Sequence, residues 1–175
     1  EQGIIHFIFS RQDRSHNLLD ESFIADYVAA IACLQNLDFT GVILRSDKAH
    51  FFVGGDLDAL AKVESSDVER IYQQLSDFKH AMRWLETCAK PVVSCLQGAA
   101  LGTGWEIALA SHHRIALANC TLGLPEVSYG LMPSAGGVIR MTQLLGLQLA
   151  SNYLLKGKIF TAKEGLNVSL IDFVE

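Results

Sequence analysis

Two isolated glutamates are the residues of this sequence whose types and settings could do acid–base chemistry. Glu106 lies in ALGTGWEIALA (100–110) and Glu126 in LGLPEVSYGLMP (122–133), so each has mostly apolar neighbours along the chain. Two carboxylates in separate apolar settings can have their pKa values raised and pushed apart, so that one serves as acid and the other as base. The sequence leaves open whether the two side chains meet. Glu106 alone also fits a first-turn glutamate stabilised by the helix dipole.

A glycine pair surrounds the residue three positions before Glu106. Gly102 and Gly104 supply the start of a dinucleotide-binding GxGxxG motif, but Ile107 holds the third glycine position, which argues against that function. A phosphate-binding Walker A motif is excluded because no Gly-Lys-Ser/Thr occurs. A tight strand-to-helix turn remains a sufficient explanation for these glycines.

A second glycine-rich loop, HFFVGGDLDAL (50–60), comes earlier in the chain. Its consecutive glycines precede a short helix that we expect Asp56 to cap. Backbone N–H groups exposed in this way can bind an anion or an oxyanion. An ordinary turn with a helix cap is the alternative interpretation.

The elements that must position these loops alternate between strand and helix, which predicts an α/β fold. Apolar runs of strand length are GIIHFIF, TGVILRS, PVVSCLQ and HRIALAN, at 3–9, 40–46, 91–97 and 113–119. Helical spacing of apolar residues predicts helices over 17–35, 67–89, 104–111, near 136–155 and over 161–166. Asp20 is expected to cap the first of these helices.

Composition limits the class of protein. A chain of 175 residues fits one domain, and its net charge of -5 argues against a nucleic-acid partner. We find neither an apolar run of membrane-spanning length nor a secretion signal. The four cysteines show no CxxC spacing, which favours free thiols in a reducing compartment and predicts a cytoplasmic protein without a metal site.

Three loops taken together resemble those of a known family. FFVGGDL, QGAALGTGWEIALA and GLPEVSYGLMPSAGG occur in the order and at the spacing of the enoyl-CoA hydratase/isomerase (crotonase) superfamily, and the third looks like the hydratase part of multifunctional fatty-acid β-oxidation enzymes. The resemblance runs from SHNLLD (15–20) to residue 175. It implies a crotonase-like (ClpP/crotonase) α/β fold, a spiral of ββα units, with residues 1–175 as one core domain. The family's C-terminal helices, which build trimers, are expected to be missing from this core.

The same resemblance implies a substrate and roles for particular residues. The substrate is an acyl-CoA thioester, and no cofactor is expected because coenzyme A is part of the substrate. The backbone N–H groups of Gly55 and Thr103 would form an oxyanion hole. Glu106 would deprotonate the water that attacks C3 of a trans-2-enoyl-CoA, and Glu126 would protonate C2 in a syn addition. The implied substrate contacts are Asp56, Leu57, Asp58 and Gly102.

Several positions depart from the family pattern or leave the reaction open. Thr103 stands where the family usually has glycine, and Ser134 replaces the glycine of the proline turn. Gly136 and Gly137 are expected to shape the turn under Glu126. An enoyl-CoA isomerase or another crotonase-type reaction is the alternative activity, and a non-catalytic acyl-CoA-binding or assembly module is the alternative class. A homotrimer, a hexamer or a place in a multifunctional chain is the expected assembly.

Overall fold

Five parallel strands form the larger sheet of the structure, a computed structural model that describes residues 3–175. Numbered in chain order and given in spatial order, they are β1 (Ile4–Phe9), β2 (Gly41–Ser46), β3 (Val92–Leu96), β5 (His113–Ala116) and β8 (Phe173–Val174). Strands buried in a parallel sheet read as nearly continuous apolar runs, as Val42 and Leu44 of β2 illustrate, each 1% exposed. The predicted strands are confirmed as members of this sheet.

Three short strands among the described residues form a second sheet, which the sequence did not predict. They are β4 (Ala99–Leu101), β6 (Thr121–Gly123) and β7 (Ile159–Thr161). The pair β4 and β6 is parallel, whereas β6 and β7 are antiparallel. Because the carboxyl ends of parallel strands lie at the same edge of a sheet, the segments that follow β4 and β6 emerge side by side.

Within the described part of the chain, six helices pack around these sheets, with short 3₁₀ turns at Ser65–Asp67 and Glu126–Tyr129. The helices are α1 (Glu21–Leu34), α2 (Leu57–Leu60), α3 (Val68–Thr87), α4 (Thr103–Leu109), α5 (Gly137–Leu154) and α6 (Ala162–Asn167). The predicted caps are confirmed: Asp20 accepts a hydrogen bond from the Phe23 N–H, and Asp56 accepts one from the Ala59 N–H. Along residues 3–175, no helix combines the length and apolar character that crossing a membrane requires.

An aromatic cluster joins the larger sheet to helices α1 and α3. Phe23 packs edge-on against Phe52 with 4.7 Å between ring centroids, and Tyr27 packs against Phe78 at 4.9 Å. All four rings are buried, so they anchor the loop that contains Phe52. Trp105 of α4 is fully buried as well, which makes it a core residue that holds α4 in place.

Candidate active site

The three loops singled out in the sequence meet at one edge of the smaller sheet. Phe52 forms an isolated parallel bridge with Ala100 of β4, and its carbonyl accepts the Leu101 N–H at 3.0 Å. On the other side of β4, the Gly102 N–H donates to the Gly123 carbonyl of β6 at 2.9 Å. The glycine loop at 50–60 and the segment after β6 therefore flank the start of α4. This pairing brings Glu106 and Glu126 into one region.

Two glycines allow the loops to approach backbone to backbone. Gly102 has φ +54°, and a Cβ there would lie 3.3 Å from the Gly54 Cα and 3.2 Å from Glu126 Oε1. A Cβ on Gly104 would lie only 2.4 Å from the Phe52 carbonyl oxygen. A side chain at either position would push the loops apart. The glycines of this stretch thus serve close packing between loops.

The amides predicted to form an oxyanion hole are both free to donate. Thr103 is the first residue of α4, so its N–H has no acceptor inside the helix. The peptide at Gly55 is fixed by hydrogen bonds on either side, from the Leu19 N–H to the Gly54 carbonyl at 2.8 Å and from the Asp56 N–H to the Leu19 carbonyl at 3.1 Å. Within residues 3–175, neither the Gly55 nor the Thr103 amide donates to a protein acceptor.

Glu106 is almost fully buried and tightly held. It is 1% exposed, and its Oε1 accepts hydrogen bonds from the Ala135 and Gly137 N–H groups, both at 2.8 Å. Burial, together with the nearby charge of Glu126, raises the pKa of Glu106 to about 7, although the two amides act in the opposite direction. The expectation that Gly137 lies under Glu126 was wrong, because the turn before α5 folds back onto the carboxylate of α4 instead.

Glu126 lies in a looser environment than Glu106. The side chain begins at the 3₁₀ turn after Pro125 and places Oε1 against Gly102. Its Oε2 is buried, and no group among residues 3–175 hydrogen-bonds to it. Desolvation raises the pKa of this carboxyl group above its ordinary value. A buried oxygen without a partner is costly to keep unless a ligand or a proton satisfies it.

A cavity of about 760 Å³ opens beside these groups. Gly55, Thr103, Glu126 and Leu57 line it, so the residues that carry both free amides and one of the two carboxylates border the same space. Glu106 is not among the lining residues. An aliphatic part of the wall comes from the end of α2 and the residues after it, from α3, and from the segment after the Glu126 turn, namely Leu60, Val63, Ile71, Leu75, Leu131 and Met132.

The remaining predicted contacts divide between the cavity wall and the surface. Gly102 lines the cavity. Asp56 lines it too, but its carboxylate caps α2 at 3.0 Å from the Ala59 amide and pairs with Arg14 at 3.2 Å. Asp58 is exposed and lies outside the lining. The structure therefore gives Asp56 a role in holding the loop and gives Asp58 no place on the cavity.

Sequence reasoning missed the part of the wall that α3 provides. Ile71 and Leu75 of α3 are only partly buried, because they line the cavity. The sequence does contain a signal for this part of the wall. The apolar stripe of α3 extends about two turns before Phe78, where its fully buried residues begin.

Together these groups are suited to acid–base chemistry on a carbonyl compound. Two free amides can bind an oxyanion, while one carboxyl group with an unsatisfied oxygen lies next to them. The second carboxyl group has a pKa near neutrality, where proton transfer is efficient. No group of three or more histidine, cysteine or acidic residues within the described part of the chain is arranged to hold a metal ion.

Comparison with known proteins agrees with this geometry. The whole chain, residues 1–175, matches the family described as enoyl-CoA hydratase/isomerase. The chain belongs to this family. It is 33% identical over 175 residues to the fatty acid oxidation complex subunit alpha of Colwellia psychrerythraea. That alignment covers 99% of this chain but 24% of the relative, so the chain spans about a quarter of that protein.

Solved structures of enoyl-CoA hydratases have the same fold. The enzyme from Bacillus anthracis matches with a TM-score of 0.89 at 27% identity, over 99% of this chain and 66% of that chain. The enzyme from Bacillus halodurans matches with a TM-score of 0.91 at 26% identity, over 100% of this chain and 70% of that chain. The predicted crotonase-like α/β fold is thereby confirmed. About a third of each hydratase has no counterpart in this chain.

Proposed function

We propose that this chain carries the active site of an enoyl-CoA hydratase, which adds water across the C2=C3 bond of a trans-2-enoyl-CoA. One observation carries the proposal: Glu126 lies with an unsatisfied oxygen beside two free amides, and a second glutamate with a raised pKa lies in the same region. An oxyanion hole and a pair of carboxyl groups are what a hydration through an enolate requires.

The first part of the mechanism is stabilisation of charge on the thioester. The substrate carbonyl oxygen would accept the Gly55 and Thr103 N–H groups. Attack of water at C3 moves electrons onto this oxygen, and the two amides stabilise the resulting enolate. They need no reorganisation because the Leu19 pairing and the start of α4 already fix them.

The second part of the mechanism is the transfer of two protons. Glu106 takes one proton from the attacking water through Oε2, since Oε1 is already occupied by the Ala135 and Gly137 amides. Glu126 delivers its proton to C2 as the enolate collapses. The hydroxyl on C3 and the hydrogen on C2 add to the same face of the double bond. The negative charge of one carboxylate disfavours ionisation of the other, which favours one ionised and one protonated group at neutral pH.

An enoyl-CoA isomerase is the second candidate function, and one observation favours it. Glu126 lines the cavity, whereas Glu106 does not. A single carboxylate beside an oxyanion hole can move a proton between C2 and C4 of a 3-enoyl thioester. Hydration remains our first proposal because it uses both glutamates.

The domain organisation, the cofactor requirement, the compartment and the assembly of the protein are further predictions. We expect residues 1–175 to be one core domain. We expect no separate cofactor, because coenzyme A is part of the substrate. We further expect a cytoplasmic protein that forms a homotrimer or hexamer or is part of a multifunctional chain. The relative from Colwellia psychrerythraea, named as a complex subunit, supports the multifunctional alternative.

The test is product analysis with the natural full-length protein. It would be incubated separately with a trans-2-enoyl-CoA and a trans-3-enoyl-CoA of the same chain length, and the products would be identified by NMR. The proposal predicts a 3-hydroxyacyl-CoA from the first substrate. Conversion of the 3-enoyl thioester alone would support the isomerase, and tight binding without turnover of either would support a non-catalytic module.

A further inference from the structure

A buried arginine on α5 stands behind the turn that holds Glu106. Arg140 is 8% exposed. Its Nη1 donates to the Ala135 carbonyl at 3.0 Å, and its Nη2 donates to Glu86 Oε2 of α3 at 3.0 Å. Its buried Nε has no hydrogen-bond partner within residues 3–175. A buried cation is expensive, so its position calls for a reason beyond packing.

The turn between Ala135 and Gly137 is held on two sides. On one side the Arg140 guanidinium binds the Ala135 carbonyl, and on the other the Ala135 and Gly137 amides bind Glu106 Oε1. Gly136 between them has φ +103°, and a Cβ there would lie 2.3 Å from Arg140 Nη1. The guanidinium therefore packs directly against the backbone that presents both amides to Glu106.

We propose that Arg140 is a positioning residue for Glu106, which keeps the turn at 135–137 in the conformation that directs both amides at one carboxylate oxygen. The inference rests on the proposed role of Glu106 as the base that activates water. Because the two amides hold Oε1 of Glu106, its Oε2 keeps one orientation toward the water. Small misplacements of a catalytic group carry large costs in rate.

Electrostatics gives Arg140 a second effect on the same carboxyl group. The charged groups that act on Glu106 are Glu126, which raises its pKa, and Arg140, which lowers it. Arg140 in turn faces Glu86, whose pKa it lowers, and the Tyr27 phenol on α1. Loss of the guanidinium should therefore make Glu106 harder to deprotonate, and loss of the Glu86 charge should make it easier.

The experiment compares two arginines that bind the same carboxylate. Arg83 also contacts Glu86 Oε2, at 2.9 Å, but it is exposed on α3, so Arg83→Gln is the matched control for Arg140→Gln. The pKa of Glu106 would be measured in the full-length protein by ¹³C NMR of its side-chain carboxyl carbon, assigned with Glu106→Gln. We expect the midpoint to rise by about one pH unit in Arg140→Gln and to stay unchanged in Arg83→Gln.

Kinetics of the same variants separates positioning from a loss of fold. For Arg140→Gln we expect kcat to fall about tenfold or more with KM changed less than threefold. Arg140→Lys should restore the NMR midpoint but only part of kcat, because an ammonium group lacks the planar fork. An unchanged midpoint in Arg140→Gln, or the same rise in Arg83→Gln, would overturn the proposal.

Glu86→Gln provides a second test that does not require Arg140→Gln to fold. Glu86→Gln retains the arginine and should move the Glu106 midpoint downward, opposite to Arg140→Gln, so an upward or absent shift would contradict the proposal. The NMR midpoint does not depend on turnover. A wild-type protein that hydrates no enoyl-CoA while its Glu106 midpoint responds as expected would remove the proposed function and leave the Arg140 contact standing.

Discussion

Glu106 and Glu126 are the same residue type in the same site, yet the fold treats them differently. Glu106 is 1% exposed, sits on a helix and has one oxygen bound by two amides at 2.8 Å. Glu126 follows a proline in a 3₁₀ turn, lines the cavity and has a buried oxygen without a partner among residues 3–175. The protein therefore fixes the carboxylate of Glu106 in place and leaves an oxygen of Glu126 available to a ligand in the cavity.

Removal of either carboxyl group should have the largest effect on activity. Glu126→Gln and Glu106→Gln should each lower kcat for hydration by about 10²–10⁴-fold, because each removes one proton-transfer group. The double variant should lose little more than the worse single variant, since the two groups act as a unit. Steady-state hydration assays, with circular dichroism as the folding control, check this. Full activity in Glu126→Gln would contradict the assignment of that residue as the acid.

A second variant tests whether close packing between the loops keeps Glu126 in place. Gly102→Ala adds a Cβ 3.2 Å from Glu126 Oε1 at a residue with φ +54°. We expect kcat/KM to fall about 10²-fold through misplacement of the acid. Strain from the positive φ should also cost about 1 kcal/mol or more in the free energy of unfolding.

The matched control for that variant is Gly146→Ala, at the kink of α5. Gly146 has φ +74°, and its Cβ would meet no atom of the described chain within 4 Å. It should lose comparable stability in thermal unfolding but keep its activity. Equal activity losses in the two variants would show that backbone strain, and not contact with Glu126, is responsible.

The difference in burial also predicts a pH dependence. With a pKa of about 7 for Glu106, kcat/KM should fall as the pH drops below 7, since the base becomes protonated. Stability should change in the opposite direction. The raised pKa contributes stability that is complete below the ordinary value of 4.5 and is lost as the pH rises through 7.

The measurement for stability is urea unfolding of wild type and Glu106→Gln between pH 4 and 8. The unfolding free energy of wild type should fall relative to the variant by about 3 kcal/mol across this range. A constant difference between the two proteins would mean that Glu106 is not perturbed by burial.

The smallest expected effect concerns Thr103. Because the proposed donor is its backbone N–H, Thr103→Gly should keep kcat within about tenfold of wild type while lowering the free energy of unfolding by about 0.5–1 kcal/mol. Thr103→Ser, which retains the hydroxyl, is the control. A loss of rate in Thr103→Gly as large as in the glutamate variants, restored in Thr103→Ser, would transfer the role from the amide to the side chain.

The sequence predicts the long elements of this fold well and its short ones poorly. Strands β1, β2, β3 and β5 are visible in the sequence as apolar runs, and helices α1, α3 and α5 are long enough to show a helical period; their predicted positions agree with the structure. The smaller sheet consists of strands of three residues each, which carry no periodic signal. Yet it is the parallel pairing of β4 with β6 that brings Glu106 and Glu126 together.

The candidate site shows the same division. The glycine loops and both glutamates are visible as local patterns, and the caps at Asp20 and Asp56 follow from side-chain chemistry. The partner of the turn at 135–137 is not visible, because it depends on how α5 packs against α4. From the local sequence we expected that turn to lie under Glu126, whereas in the structure its amides donate hydrogen bonds to Glu106.

Hydration of a trans-2-enoyl-CoA in D₂O by the full-length protein, with NMR of the product, is the sharpest test of the roles proposed for Glu106 and Glu126. We expect a 3-hydroxyacyl-CoA with one deuterium at C2, on the same face as the new hydroxyl, and loss of this product in both Glu106→Gln and Glu126→Gln. A 3-enoyl-CoA with deuterium at C2 and no hydroxyl, or binding without any product, would contradict hydration by this pair of glutamates.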